Sequence, residues 1–179
     1  DVRKGEILGI AGVSGNGQTE LAEAVAGLIR ISEGSIILSG RDITSLSVRE
    51  RNEGGLGHIP EDRLKRGLVP DFSLSFNAVI KKYYTGKFSS NNILCFDEIT
   101  RHAEKIIDTF DVRCGEGADS SAGSLSGGNQ QKMIIGREIT ENPDLLLAVQ
   151  PTRGLDVGAV SFIHRMIVEQ RDKGKGVLL

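Results

Sequence analysis

Residues Leu125 to Gln131 read LSGGNQQ. A serine and two glycines precede a helix-compatible stretch, Asn129 to Thr140, so the string is a helix N-terminus with no bulky side chain over it. The free backbone N–H groups and the Ser126 hydroxyl can face an anion there, and the helix dipole favours negative charge. Taken alone, Ser-Gly before a helix is equally an ordinary N-cap. A second string with the same chemistry is GVSGNGQT, Gly12 to Thr19. It follows the apolar run Ile7 to Ala11 and precedes a helix expected over Leu21 to Ile29. Strand, Gly-rich turn and helix are the context of a phosphate-binding loop. Its glycines let the backbone curl round phosphate and aim successive N–H groups at it. Such a loop ends in Gly-Lys-Ser/Thr, but here the residues are Gly17, Gln18 and Thr19. Thr19 keeps a hydroxyl for Mg²⁺. Glu20 faces phosphate with the wrong sign, although it suits an empty helix N-terminus. A hydrogen bond to a charged group contributes ~1.5–3 kcal/mol, so losing the lysine weakens phosphate binding by about one to two powers of ten.

The third chemical stretch is DLLLAVQPTRGLD, Asp144 to Asp156. A buried strand is expected over Leu145 to Val149. In a hydrolytic phosphate site the end of that strand carries an aspartate that orients Mg²⁺ and a glutamate that polarises water. Val149 and Gln150 stand in those places. Valine has no metal-binding atom, and glutamine is no general base at neutral pH. General-base catalysis contributes ~10²–10⁴ in rate, so hydrolysis by the chain's own loops is expected to be negligible.

Strand-like and helical segments alternate along the chain, which predicts an α/β fold with a largely parallel sheet. A short strand is expected over Ser35 to Ser39, a turn over Arg41 to Thr44, a helix over Ser47 to Glu53 and a strand ending at His58-Ile59-Pro60. From Leu74 to Ile107 the character is helical, interrupted by a flexible connection over Thr85 to Asn92. Phe96, Ile99, Ala103, Ile106, Ile107 and Phe110 recur mostly at spacings of three and four, which makes one apolar stripe. Gly115 to Ser124 is a small-residue loop that delivers LSGG, and another amphipathic helix spans Val157 to Asp172.

The 179 residues suffice for one domain with its own core. Basic and acidic side chains number 22 and 24, so there is no nucleic-acid footprint and no acidic tail. No apolar run approaches the ~20 residues of a membrane span, and none of the 179 residues reads as a signal peptide. Any membrane role is expected through a partner. Cys95 and Cys114 lack metal spacing and read as free thiols. His102 and His164 read as surface or packing residues. The chain starts at Asp1 and stops in the apolar stretch Gly176 to Leu179, which reads as a fragment cut from a longer polypeptide at both ends.

Together these strings resemble the ATP-binding cassette (ABC) ATPases. GVSGNGQTELAEAVAG, IPEDR with GLV, LSGGNQQK and QPTRGLDVGA are similar to the second nucleotide-binding domain of the tandem ATPases that power bacterial simple-sugar and nucleoside importers. VQPTRGLDVGA is most similar to the nucleoside members. The resemblance covers Gly5 to Leu179. It implies a P-loop cassette with a core over 1–60 and 142–179 and a helical subdomain over about 70–141. It implies ATP and Mg²⁺ as cofactors, bound weakly or statically at the chain's own site by Gly12, Ser14, Gly15, Asn16, Gly17, Gln18 and Thr19, with Thr19 as the one weak metal ligand. Leu125, Ser126, Gly127, Gly128 and Gln130 would form the signature, which meets ATP held by a partner cassette. Asp156 would bridge the two cassettes. Glu61, where the family usually has glutamine, would lie in the loop that couples nucleotide to the membrane partner. The implied partners are a first cassette on the same polypeptide, transmembrane permease subunits and, indirectly, a substrate-binding lipoprotein. The implied location is the cytoplasmic face of the bacterial membrane. Competing readings are a catalytically active ABC domain and a soluble ABC ATPase outside transport. The apolar and aromatic residues Phe72, Leu74, Phe76, Val79, Tyr83 and Tyr84 lie where the family receives a short helix of the membrane subunit, though most of them are expected to pack inward.

Overall fold

A computed structural model describes residues 1–13 and 15–179; the expectation for Ser14 lies outside the described residues. Four parallel strands form the central sheet in the order β1-β8-β7-β4. β1 is Ile7–Leu8, β4 Leu56–Ile59, β7 Leu145–Ala148 and β8 Gly176–Leu178. β7 is central and reads as an unbroken apolar run, as a strand covered on both faces must. Leu146 pairs with Gly57 on one side and Val177 on the other, and Leu146 and Val177 are fully buried.

Helix α1 (Gln18–Ala26) follows β1 through the Gly-rich turn. It begins three residues earlier than the apolar pattern predicts, because Gly17, at φ 92°, already turns the chain into the helix. Gly27, at φ 80°, ends it in a left-handed cap. Beneath that end lies Arg51 of α2 (Val48–Glu53). Its guanidinium is buried and donates to the carbonyls of Ala24 (2.5 Å), Val25 (2.8 Å) and Thr44 (2.8 Å). A cation on helix carbonyls both satisfies orphan acceptors and complements the dipole. Arg51 therefore fixes the helix whose other end forms the phosphate loop. α2 itself starts with a reciprocal cap between Ser47 and Glu50.

The helical side consists of α3 (Leu74–Val79), α4 (Phe96–Thr109) and α5 (Gly127–Thr140). α4 buries the predicted stripe: Ile99, Ala103, Ile106 and Phe110 are all at most 5% exposed, while Phe96 at its start is out in solvent. α5 runs between the sheet and α4, so Met133, Ile134 and Ile135 are all buried despite being consecutive. Gly136 lets the two helices close: a Cβ there would lie 2.7 Å from Ile106 Cγ2 and 2.8 Å from Phe110 Cδ2. α6 (Val157–Asp172) returns along the sheet to β8.

Two expectations are corrected. Arg41-Asp42, read as turn, is strand β3, paired antiparallel with β2 (Ile37–Leu38). The turn is Ser39-Gly40, both at positive φ, the geometry a two-residue hairpin prefers. The segment Thr85 to Asn92, read as a flexible connection, contains strand β5 (Ser89–Ser90), which pairs with β6 (Ile93–Leu94). Asn91 and Asn92 supply its positive-φ turn. Both hairpins are too short and polar to show a period of two, so only their turn residues signal them.

Candidate functional site

The phosphate loop, the end of β7 and the charged loop after β4 converge. A pocket of about 410 Å³ is lined by Gly12, Gly15, Gln18 and Thr19 from the first, Val149 and Gln150 from the second, and Glu61 from the third. These sequence-predicted residues are thus brought together. Gly15 and Gly17 have φ of 90° and 92°, values that residues with a Cβ rarely adopt. No side chain caps the start of α1, so its N-terminal N–H groups face the loop. Gln18 folds back across the loop, and a Cβ on Gly12 would collide with its carboxamide.

The chemistry of the lining follows. No basic side chain is among the described residues that line the pocket. Glu61 brings a carboxylate to it, and Arg153 pairs with Glu61 from outside the lining. The described side chains offer phosphate one hydroxyl, Thr19, and two amides, Gln18 and Gln150. The donor set fits a nucleotide held by backbone N–H groups; Val149 offers a metal no atom, and Glu61 is the carboxylate among the described lining residues. Gln150 sits at φ 44°, a strained value for a residue with a side chain.

Ser126 is elsewhere. It is the N-cap of α5, with φ −61° and ψ 154°, and its side chain caps no backbone N–H. Instead Asn129 Nδ2 donates to Ser126 Oγ at 3.0 Å, and Asn129 Oδ1 accepts from Arg113 N at 3.0 Å. The tip is therefore exposed and braced by Asn129. Gly128 packs on α6, where a Cβ would lie 3.1 Å from Ala159 Cβ. Asp156 caps α6 by accepting from Ala159 N at 2.9 Å, and it lines the same surface depression of about 490 Å³ as Ser126 and Gly128. Two signature residues point inward. Leu125 is buried, and Gln130, expected at the ligand, is 6% exposed and donates to the Ala122 carbonyl at 3.2 Å. Its side chain tethers the preceding loop.

Sequence reasoning missed Arg63 as a connector. Its guanidinium donates to the Arg153 carbonyl at 3.1 Å, and a Cβ on Gly127 would lie 2.9 Å from Arg63 Nη2. With the Glu61–Arg153 pair, the loop after β4, the loop after β7 and the α5 tip are tied into one unit. The charged EDR and TRG strings were the available signal, but pairing across 90 residues is not visible in spacing.

Of the six candidate docking residues only Leu74 and Val79 are buried and Tyr84 is half-buried, so the expectation that most of them pack inward is corrected. Phe72 (47%), Phe76 (38%) and Tyr83 (52%) are exposed. Phe76 meets Phe72 at 6.0 Å and Phe96 at 6.3 Å edge to face, which makes a surface aromatic cluster. Among the described residues, no helix is long and apolar enough to cross a membrane.

The comparisons with known proteins agree with this geometry. A family model described as ABC transporter matches residues 1–153. The chain is 53% identical over 178 residues to the guanosine import ATP-binding protein NupO of Bacillus subtilis, covering 99% of this chain and 35% of that protein. It is 50% identical over 179 residues to the nucleoside import ATP-binding protein NupA of Lactococcus lactis, covering 100% and 35%. It is 36% identical to the galactose/methyl galactoside import ATP-binding protein MglA of Escherichia coli, again covering 100% and 35%. The chain therefore spans about a third of the length of these curated relatives. In fold it is similar to an ATP-binding cassette in a dimeric post-hydrolysis state bound to ADP and Pi, with TM-score 0.78 and 24% identity, covering 99% of this chain and 75% of that one. It is also similar to a nucleotide-free cassette from an ABC transporter, with TM-score 0.77 and 23% identity, covering 99% and 70%. The loop, sheet and helical side thus form the cassette fold, and the chain belongs to the ABC transporter family.

Proposed function

We propose that this chain is the second, catalytically degenerate cassette of a tandem ATPase that drives import of nucleosides or simple sugars. It supplies its signature tip to ATP held by a partner cassette. The observation that carries this reading is a separation: the phosphate-loop pocket and the Ser126 depression share no lining residue. A tip on one side and a loop on the other are used together only when a second cassette faces each. Ser126, Gly127 and Gly128 would then meet the γ-phosphate of the partner's ATP, with Asp156 at the junction. The chain's own loop would hold nucleotide weakly or statically, with Thr19 the one metal ligand. Identity to importer ATPases named for guanosine, nucleosides and galactosides supports the substrate class. Permease subunits at the membrane's cytoplasmic face would dock on the Phe72–Phe76–Phe96 cluster, and a binding lipoprotein would deliver substrate to them.

The test uses the full-length importer ATPase with its permease. Ser126→Arg puts a bulky cation at the tip and is expected to abolish ATP-driven uptake, while Gln150→Ala leaves uptake unchanged. Unaltered pumping by the Ser126 variant would overturn the proposal. The 179-residue chain alone is expected to show no MgATP turnover. Phe76→Glu is expected to reduce recovery of the permease complex at least several-fold without changing the chain's circular dichroism.

A further inference from the structure

On the helical side, away from both nucleotide features, a pocket of about 430 Å³ opens between the turn after α3, the start of the β5–β6 hairpin, α4 and the C-terminal end of α5. Lys82, Lys87 and Lys105 line it, and its one carboxylate is Glu141. Glu141 is already matched to Lys82 at 3.6 Å. Among the described residues, neither Lys87 nor Lys105 forms an ion pair. Surface lysines are ordinarily solvated, and carbonyls at a helix C-terminus attract cations. That accounts for Lys82 but not for Lys87, which is held in place rather than free. Its Nζ lies 3.3 Å from His102 Nδ1 and 4.7 Å from the Phe88 ring centre, and the Phe88 and His102 rings are 5.0 Å apart.

An ammonium only donates, so Nδ1 of His102 accepts and the ring proton sits on Nε2. Nε2 has no acceptor among the described residues, and the His102 ring is part of the pocket's lining. The pocket therefore presents a fixed ammonium, a second unpaired ammonium and an imidazole N–H, with a surplus of positive charge in a chain whose net charge is −2. That combination of several point-charge donors around a concave space suits a compact polyoxyanion. We infer that this pocket binds a phosphate or phosphomonoester anion, with Lys87, Lys105 and His102 Nε2 as its donors. The inference does not depend on the role of the phosphate loop or of Ser126.

His102 reports on its own site. Burial, with Lys87 and Lys105 beside it, pushes its pKa down to about 4. At the pH where His102 titrates the phosphate is a monoanion, and bound between the two lysines it offsets part of their field, so the midpoint must rise. The charged groups facing the ring are Lys87 from the hairpin side and Lys105 from its own helix, with Lys82 and Glu141 across the pocket. The experiment follows the His102 imidazole by NMR across pH, adding inorganic phosphate at constant ionic strength set by chloride. A saturable rise of about one unit, a tenfold change in proton affinity, is expected at His102 and none at His58. The exposed Lys105→Gln, and separately Lys87→Gln, are expected to remove the response while leaving circular dichroism unchanged. A rise with vesicles containing phosphatidic acid but not with soluble phosphate would assign the same headgroup chemistry to a lipid. No saturable rise with either, or a rise that survives both lysine changes, would overturn the inference.

Discussion

Gln18 decides what the phosphate loop can hold. Its carboxamide lies over Gly12, and among the described residues the lining carries no basic side chain to replace the lysine such loops use. Restoring that cation is the direct test. Gln18→Lys is expected to tighten ADP and ATP binding by about ten- to a hundredfold, the converse of the lost charged hydrogen bond, as read by titration calorimetry. It is not expected to produce turnover, because Val149 and Gln150 still supply neither metal ligand nor base. An unchanged affinity would mean that the loop's backbone is misaligned rather than undercharged. Most of the described pocket lining was legible residue by residue: Gly12, Gln18, Thr19, Val149 and Gln150 stand out by type and spacing. Side-chain direction did not. Gln130 looks like a ligand by adjacency to the glycines, yet one helical turn rotates it to the buried face, where Ala122 takes its amide.

Among the elements, periodicity revealed those with a buried stripe and missed those without one. α6 spans the predicted Val157–Asp172, and α4 buries the predicted face. The β2–β3 and β5–β6 hairpins escaped because two-residue strands offer no alternation to read. Gly136 shows how an element contact can oppose propensity. Gly→Ala inside a helix normally gains about 1 kcal/mol. Here the added methyl would meet Ile106 and Phe110 at 2.7–3.0 Å, and overpacking a close core costs about 1–3 kcal/mol. Both partners are stiff and nearly inaccessible, so overpacking wins. Gly136→Ala is expected to lower unfolding stability by up to about 2 kcal/mol, the overpacking cost less the helix-propensity gain. Phe110→Leu in the same chain should recover part of that loss, the coupling expected of touching residues. A stabilised Gly136→Ala in urea melts would show that α4 and α5 pack more loosely than the structure has them.

At the scale of the molecule, one polar knot joins sheet to helices. Buried Glu138 of α5 accepts from Lys81 at 2.7 Å, from Arg137 at 3.0 Å and from the His58 backbone N–H on β4 at 3.1 Å. Burial alone would raise the Glu138 pKa, but Lys81 and Arg137 outweigh it and hold the carboxylate below its ordinary 4.5. The His58 ring is neutral: burial pushes its pKa down to about 4 despite the nearby Glu138. An imidazole that resists protonation when folded, but accepts a proton near 6.5 when unfolded, makes the unfolded state bind more protons as pH falls. Its contribution is therefore complete above about 6.5 and is lost between there and about 4. His102 acts in the same window and direction. The lowered Glu138 contributes above 4.5 and loses its share only below that value. Between neutral pH and the ordinary tyrosine range stability should thus be flat, and it should decline in two stages on acidification, histidines first. The His58 share is on the order of 3 kcal/mol at its full extent, a sizeable part of the 5–15 kcal/mol typical of a domain. In urea melts across pH, His58→Gln is expected to roughly halve the slope between 6.5 and 4.5, because His102 remains, and to leave the steeper fall below 4.5. A slope unchanged by His58→Gln would mean that the ring is solvated and that sheet and helices part more readily at the knot than its hydrogen bonds imply.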